Sequence, residues 1–166
     1  DACVSINDGI SGFDLHGVRS FHTHFRDCRA YGGPLLAANN KSAFRIGNTS
    51  HTCGDYDVLM ENCYVFGCNA VNNLATYTGT AFEMFGASSG VVVRGCSFSD
   101  CSVGMRIGNN SNFDAELNTD IVVEGCEFKR MTTMLDIDGE STNKDVRRMI
   151  FSNNTSIQNS NHFVFI

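Results

Sequence analysis

The chain has 166 residues, 18 acidic against 12 basic side chains, a net charge of −6, a single proline and no tryptophan. That length suits one domain with a real core. The acidic balance, without any basic run, argues against nucleic acid as a partner, and no apolar run approaches the ~18–20 residues of a membrane span.

Abundant Gly, Asn and Ser with almost no Pro read as many short strands joined by tight turns. Taken in chain order, two alternating units recur. GFDL (12–15) is followed by THFRDC (23–28), AFRI (43–46) by VLMENC (58–63), and AFEM (81–84) by VVVRGC (91–96). GMRI (104–107) is followed by IVVEGC (121–126), MLDI (134–137) by MIFSNN (149–154), and FVFI (163–166) is a sixth copy of the first unit. Starts of the first unit lie 31, 38, 23, 30 and 29 residues apart. Every unit alternates with period two, so these are strands, and no amphipathic helix is visible.

Strands that repeat at coil-length intervals and align without gaps predict an all-β fold, a right-handed parallel β-helix. Residues 1–166 form a single domain, a single-stranded solenoid of about six partial coils with strands stacked about 4.8 Å apart. The shortest coil has room for three short strands and three turns. The fixed period and Leu/Asn consensus of a leucine-rich repeat are absent. The chain opens at Asp1 with no signal-peptide pattern and closes on a core strand with no polar cap. A piece of a larger chain or assembly is therefore expected.

The stacking explains a charge reversal between two near-identical segments, VVVRGCSF and IVVEGCEF. The outward position of the first unit reads Asp14, Arg45, Glu83, Arg106, Asp136, and that of the second reads Arg26, Glu61, Arg94, Glu124, Ser152. Both columns alternate in sign, as in-register neighbours one strand apart require. They are expected to be surface ladders that fix register rather than catalytic rows. Inward columns of Phe13, Phe44, Phe82, Met105, Leu135 and Val164, and of Phe25, Met60, Val93, Val123 and Phe151, form the core.

Cys28, Cys63, Cys96 and Cys126 share one column with Asn154, and Cys68 and Cys101 share another. This is a stack of small buried thiols, not the converging CxxC pairs of a metal site. A Cys68–Cys101 disulfide fits neighbouring coils but is not required. Cys3 and Cys53 fall outside the columns. Alternation puts His22 and His24 on one face, where polar surface is the plain reading. No metal and no cofactor is expected.

On the second strand the outward apolar row Leu59, Val92, Val122, Ile150 needs a cover, and a second subunit is favoured over the chain's own loops. Inserted loops at 47–57, 108–120 and 139–145 share one corner, while the third coil carries only GASSG (86–90). The resulting notch is flanked by His51, Asp55, Tyr56, Asp57, Asp114 and Glu116, with Phe85 at its floor. Carboxylates beside an aromatic are what glycan binding or hydrolysis uses. Asp114 and Glu116 are the candidate catalytic pair; His51, Asp55, Tyr56, Asp57 and Phe85 are the candidate substrate-binding set. NTD (118–120) matches a polygalacturonase tripeptide, but the paired Asp and Gly-His-Gly of those enzymes are absent.

VVVRGCSFSDC and IVVEGCEF resemble the coils of pectate-lyase-like right-handed β-helices, over nearly the whole chain. Within that superfamily the chain is similar to phage tailspike and tail-fibre proteins. The resemblance implies a homotrimer, in a virion tail or extracellular, that recognises and in many members cleaves bacterial surface polysaccharide. It hands over no catalytic residues, so enzyme status stays open. The alternatives are a non-catalytic structural β-helix of a fibre or surface appendage, and a secreted polysaccharide lyase or hydrolase.

Overall fold

The computed structural model describes residues 2–6, 11–15, 21–32, 41–47, 56–68, 79–84, 88–108, 117–138 and 145–165. Among them are seventeen strands and no helix, and hence none long and apolar enough to cross a membrane. In chain order these are β1 (Val4–Ile6), β2 (Ser11–Leu15), β3 (Phe21–Arg26), β4 (Arg29–Tyr31), β5 (Lys41–Ile46), β6 (Tyr56–Glu61), β7 (Tyr64–Phe66), β8 (Gly79–Met84) and β9 (Ser89–Arg94). They continue as β10 (Ser97–Ser99), β11 (Val103–Gly108), β12 (Leu117–Glu124), β13 (Glu127–Lys129), β14 (Thr133–Asp138), β15 (Asp145–Ser152), β16 (Thr155–Ile157) and β17 (Asn161–Phe165).

Every third strand joins the same sheet. The orders are β1-β4-β7-β10-β13-β16, β2-β5-β8-β11-β14-β17 and β3-β6-β9-β12-β15. Neighbouring strands run parallel in all three. One pass through the three sheets is one level, and the arrangement is all-β with three parallel sheets, consistent with a parallel β-helix. The first and second sequence units form the second and third sheets. The short three-residue strands form the first sheet.

Corners are built by residues with positive φ, and these too form columns. His22, Asp57, Gly90, Asp120 and Arg148 make one; Asp27, Asn62, Gly95, Gly125 and Asn153 a second; Gly67, Asp100, Arg130 and Gln158 a third. A left-handed conformation costs an ordinary residue roughly 1–2 kcal/mol. It turns the chain without losing backbone bonds: Asn62 N–H donates to Arg94 O at 3.1 Å and Asp100 N–H to Lys129 O at 3.0 Å.

Between the sheets lies the core. Phe44, Phe82, Met105 and Leu135 are buried in one column, Met60, Val93 and Val123 in another. The Phe13 and Phe44 rings stack at 4.6 Å. The short strands add Ala30, Val65, Phe98 and Phe128, also buried. Size is matched across the core: a Cβ on Gly104 would lie 2.6 Å from the Phe128 ring and 2.7 Å from Met134 O, so glycine makes room for phenylalanine.

Four sequence expectations need correction. The residue in register with Leu135 is Phe163 and not Val164, which pairs with Asp136. The same offset joins Glu124 to Ser152 and Glu127 to Thr155. Aligning FVFI on MLDI slips this register by one residue, which exchanges the two faces. Second, Cys3 belongs to the cysteine column, because Val4 pairs with Arg29 and Arg29 N–H donates to Cys3 O. Third, alternation fails at His22, whose φ of 55° sets it at a corner. Fourth, only one charged column is a surface ladder. Arg26–Glu61 (3.0 Å) and Arg94–Glu124 (2.7 Å) run along the third sheet with Arg94 half exposed. In the second sheet Glu83 is buried and Arg106 nearly so, with Arg106 at 3.9 Å from Glu83 and 2.9 Å from Asp136. Ser42 donates its hydroxyl to the Glu83 carboxylate.

The outward apolar row is in register as expected: His24 pairs with Leu59, Leu59 with Val92, Val92 with Val122, and Val122 with Ile150.

Candidate functional site

Of the residues singled out around the notch, His51, Asp55, Phe85, Asp114 and Glu116 lie outside the described residues. Tyr56 opens β6, paired with Phe21 and Ser89. Asp57 follows it at the corner, exposed and in the left-handed conformation. Asp57 belongs to the corner column His22, Asp57, Gly90, Asp120, Arg148.

Its geometry follows from Gly90. With no side chain there, the third level leaves room for the Asp57 side chain of the level below. A Cβ on Gly90 would meet the Asp57 Oδ1 at 2.7 Å, so the Asp57 carboxylate leans over the glycine backbone. Its other oxygen lies 3.4 Å from His22 Nδ1. On the far side Arg148 grips Asp120 with two bonds, Nε to Oδ1 at 2.5 Å and Nη2 to Oδ2 at 2.6 Å. Thr119 donates to the Ser89 hydroxyl at 3.0 Å beside it. The Arg148 guanidinium, helped by Thr119 and Ser89, holds the Asp120 carboxyl below the usual carboxylate range. Two levels separate the two aspartates, about 9.5 Å along the stacking direction.

A second cluster lies on the outward side of the short-strand sheet. The Tyr31 and Tyr64 rings are 5.9 Å apart, and Phe66, in register with Tyr31, is 42% exposed. Arg29 pairs with Tyr64, and on the next levels the Ser97 hydroxyl donates to Glu127 at 3.1 Å. At the corner of this sheet Arg130 holds Asp100 through two hydrogen bonds, one of 2.6 Å, which keeps the Asp100 carboxyl low. One exposed and two half-buried rings on a parallel sheet, with polar groups on the following levels, form a platform with apolar faces and polar handles.

No protein-family model, curated protein or solved structure matches the chain. The chemistry of both clusters rests on their own geometry.

No group of three or more metal-ligating side chains is present among the described residues. Sequence reasoning missed Gly90, Asp120, Arg148 and the Tyr31–Tyr64–Phe66 platform as site candidates. The places of the first three were legible in the gapless repeat, since Gly90, Asp120 and Arg148 precede the same inward position (Val91, Ile121, Met149) as Asp57 does (Val58). The platform left no such signal, because the short strands carry three residues each and show no period.

Proposed function

We propose that the chain is a right-handed β-helical solenoid of the tailspike kind that recognises bacterial surface polysaccharide, in a virion tail or outside the cell. The outward-facing Tyr31–Tyr64–Phe66 platform, with Phe66 exposed, carries this reading. Rings on a rigid parallel sheet stack against sugar faces, and Arg29, Ser97 and Glu127 offer hydrogen bonds along the same line. The polar corner column with Asp57 and Asp120 supports a second contact for the same chain, with Asp114 and Glu116 as the pair proposed for cleavage.

The test is affinity electrophoresis through gels containing neutral, acidic and amino-sugar bacterial polysaccharides, with release of reducing ends followed in parallel. Retardation by at least one polysaccharide is expected. It is lost in Tyr64→Ala/Phe66→Ala, whereas Asp114→Asn/Glu116→Gln keeps retardation and abolishes any turnover. Retardation unchanged by the aromatic substitutions would remove the platform from the reading.

One observation favours a structural spacer instead. Three of the described corner carboxylates, Asp57, Asp100 and Asp120, are each engaged by a His or Arg partner. A spacer shows no retardation on any gel and tolerates replacement of its loops.

A further inference from the structure

Seven cysteines among the described residues are free thiols. Five of them are consecutive rungs of one column, Cys3, Cys28, Cys63, Cys96 and Cys126. Cys3 is exposed and the other four are buried. The rungs are held in register by matching backbone bonds: Arg29 N–H to Cys3 O at 2.8 Å, Tyr64 N–H to Cys28 O at 2.9 Å, Ser97 N–H to Cys63 O at 2.9 Å and Glu127 N–H to Cys96 O at 2.8 Å. Neighbouring rungs are thus one strand spacing apart, about 4.8 Å. That falls within the Cα separation of about 4.4–6.8 Å that a disulfide needs. The neighbouring side chains also interact. Cys28 interacts with Cys3 and Cys63, Cys63 with Cys28 and Cys96, and Cys96 with Cys63 and Cys126. Exchange of a disulfide requires a thiolate to attack one sulfur while the other leaves on the far side. Cysteines stacked in register place an attacking and a leaving sulfur on neighbouring rungs all along the column.

We propose that this column is a redox modification site, reached at exposed Cys3 by a low-molecular-weight disulfide of the glutathione type and resolved by Cys28 into a disulfide between levels. In the first step the Cys3 thiolate attacks one sulfur of the small disulfide. A mixed disulfide forms on Cys3, and one small thiolate leaves and takes up a proton. In the second step Cys28 gives its proton to solvent and its thiolate attacks Cys3 Sγ. The Cys3–Cys28 bond forms, and the second small thiolate leaves. Two protein thiols are oxidised and one small disulfide is reduced to two thiols. The same displacement by Cys63 at Cys28 Sγ frees Cys3 and moves the bridge one level inward. Asn154 carries no sulfur and ends the column. Burial pushes the Cys28 thiol up, so the second step is the slow one and the Cys3 adduct appears first. Cys68 and Cys101 are also neighbours, but at 8% and 1% exposure neither offers a way in.

The folded 166-residue chain, fully reduced, is held in oxidised glutathione, quenched with acid, alkylated and mapped by peptide mass spectrometry. Glutathione on Cys3 is expected at early times, giving way to linked Cys3–Cys28 and then Cys28–Cys63 peptides, while Cys68 and Cys101 stay alkylated. Cys28→Ser keeps a hydroxyl donor for Arg26 O, now met by the thiol at 3.4 Å, and should stop at the Cys3 adduct. Three results on the unsubstituted chain overturn the proposal, so it does not depend on the variant folding. They are an adduct that persists on Cys3, no modification at all, or linkage between cysteines that are not column neighbours.

Discussion

Asn154 stands where the five preceding rungs carry cysteine, and it makes the same two contacts. Its Oδ1 accepts from Cys126 N–H at 2.8 Å and its Nδ2 donates to Val123 O at 3.0 Å. Further down the column the Cys96 sulfur accepts from Cys63 N–H at 3.4 Å and donates to Met60 O at 3.6 Å. The thiol thus acts as a smaller, weaker amide in a continuous ladder. Asn159 repeats the pattern in the second column, bonding Met131 N–H and Phe128 O. Asn154→Ala leaves one donor and one acceptor without partners, and a loss of about 1–3 kcal/mol is expected from urea denaturation. Asn154→Cys should recover part of that loss; equal instability of the two variants would show that sulfur cannot carry the ladder. This column was legible in the sequence down to Asn154, because its residues follow strands long enough to align. Cys3 was not, since only the three-residue β1 follows it. The corner columns were harder still. His22, Asp57, Gly90, Asp120 and Arg148 share a backbone conformation and no side-chain type, so only the alignment of the strands that follow marks their places.

At the level of strands, the charged columns test what in-register stacking contributes. In the third sheet Arg94 faces Glu124 on one side and Glu61 on the other. Arg94→Glu would place three carboxylates in a row, at an expected cost of about 1 kcal/mol that shrinks in molar salt. Exchanging Arg94 and Glu124 should not restore stability, because the carboxylate brought to the Arg94 position still faces Glu61. The second sheet should behave differently. Glu83 is buried among Ser42, Arg45 and Arg106, and removing one member of a buried charge group costs about 3–5 kcal/mol. Glu83→Ala is therefore expected to destabilise several-fold more than Arg94→Glu, with little salt dependence in guanidine-free melts. Comparable losses would mean the burial of Glu83 has no energetic weight. The alternation of sign was readable in both columns from sequence alone. Which column is withdrawn from water was not, because that depends on what lies over the sheet and not on the strand's own period. The final register failed for a related reason: FVFI is apolar at every position, so alternation gave no way to tell its faces apart.

For the molecule as a whole, the open question is what meets the outward face of the third sheet. Val91, Val93, Ile121 and Val123 are buried, while the intervening Val92 and Val122 are only half-buried, as is Leu59, and Ile150 is 56% exposed. Alternation alone would have put polar residues at these outer positions. Aliphatic side chains there cost solubility unless something covers them. The charge ladder Arg26–Glu61–Arg94–Glu124 runs beside this row on the same strands, giving it a polar border like that around a protein interface. A homotrimer packed through Leu59, Val92, Val122 and Ile150 would bury the row and present the short-strand sheet, with Tyr31, Tyr64 and Phe66, to an external glycan. Light scattering should then give a mass of about 54 kDa, three times the 18.1 kDa of one chain. Val122→Asp should reduce that mass to one chain while leaving the β-rich circular dichroism intact, since the position is already half in water in a single chain. A monomer for the unsubstituted protein would instead assign the cover to other parts of the same chain. The aliphatic row would then belong to folding rather than assembly, and the platform on the short-strand sheet would have to act alone.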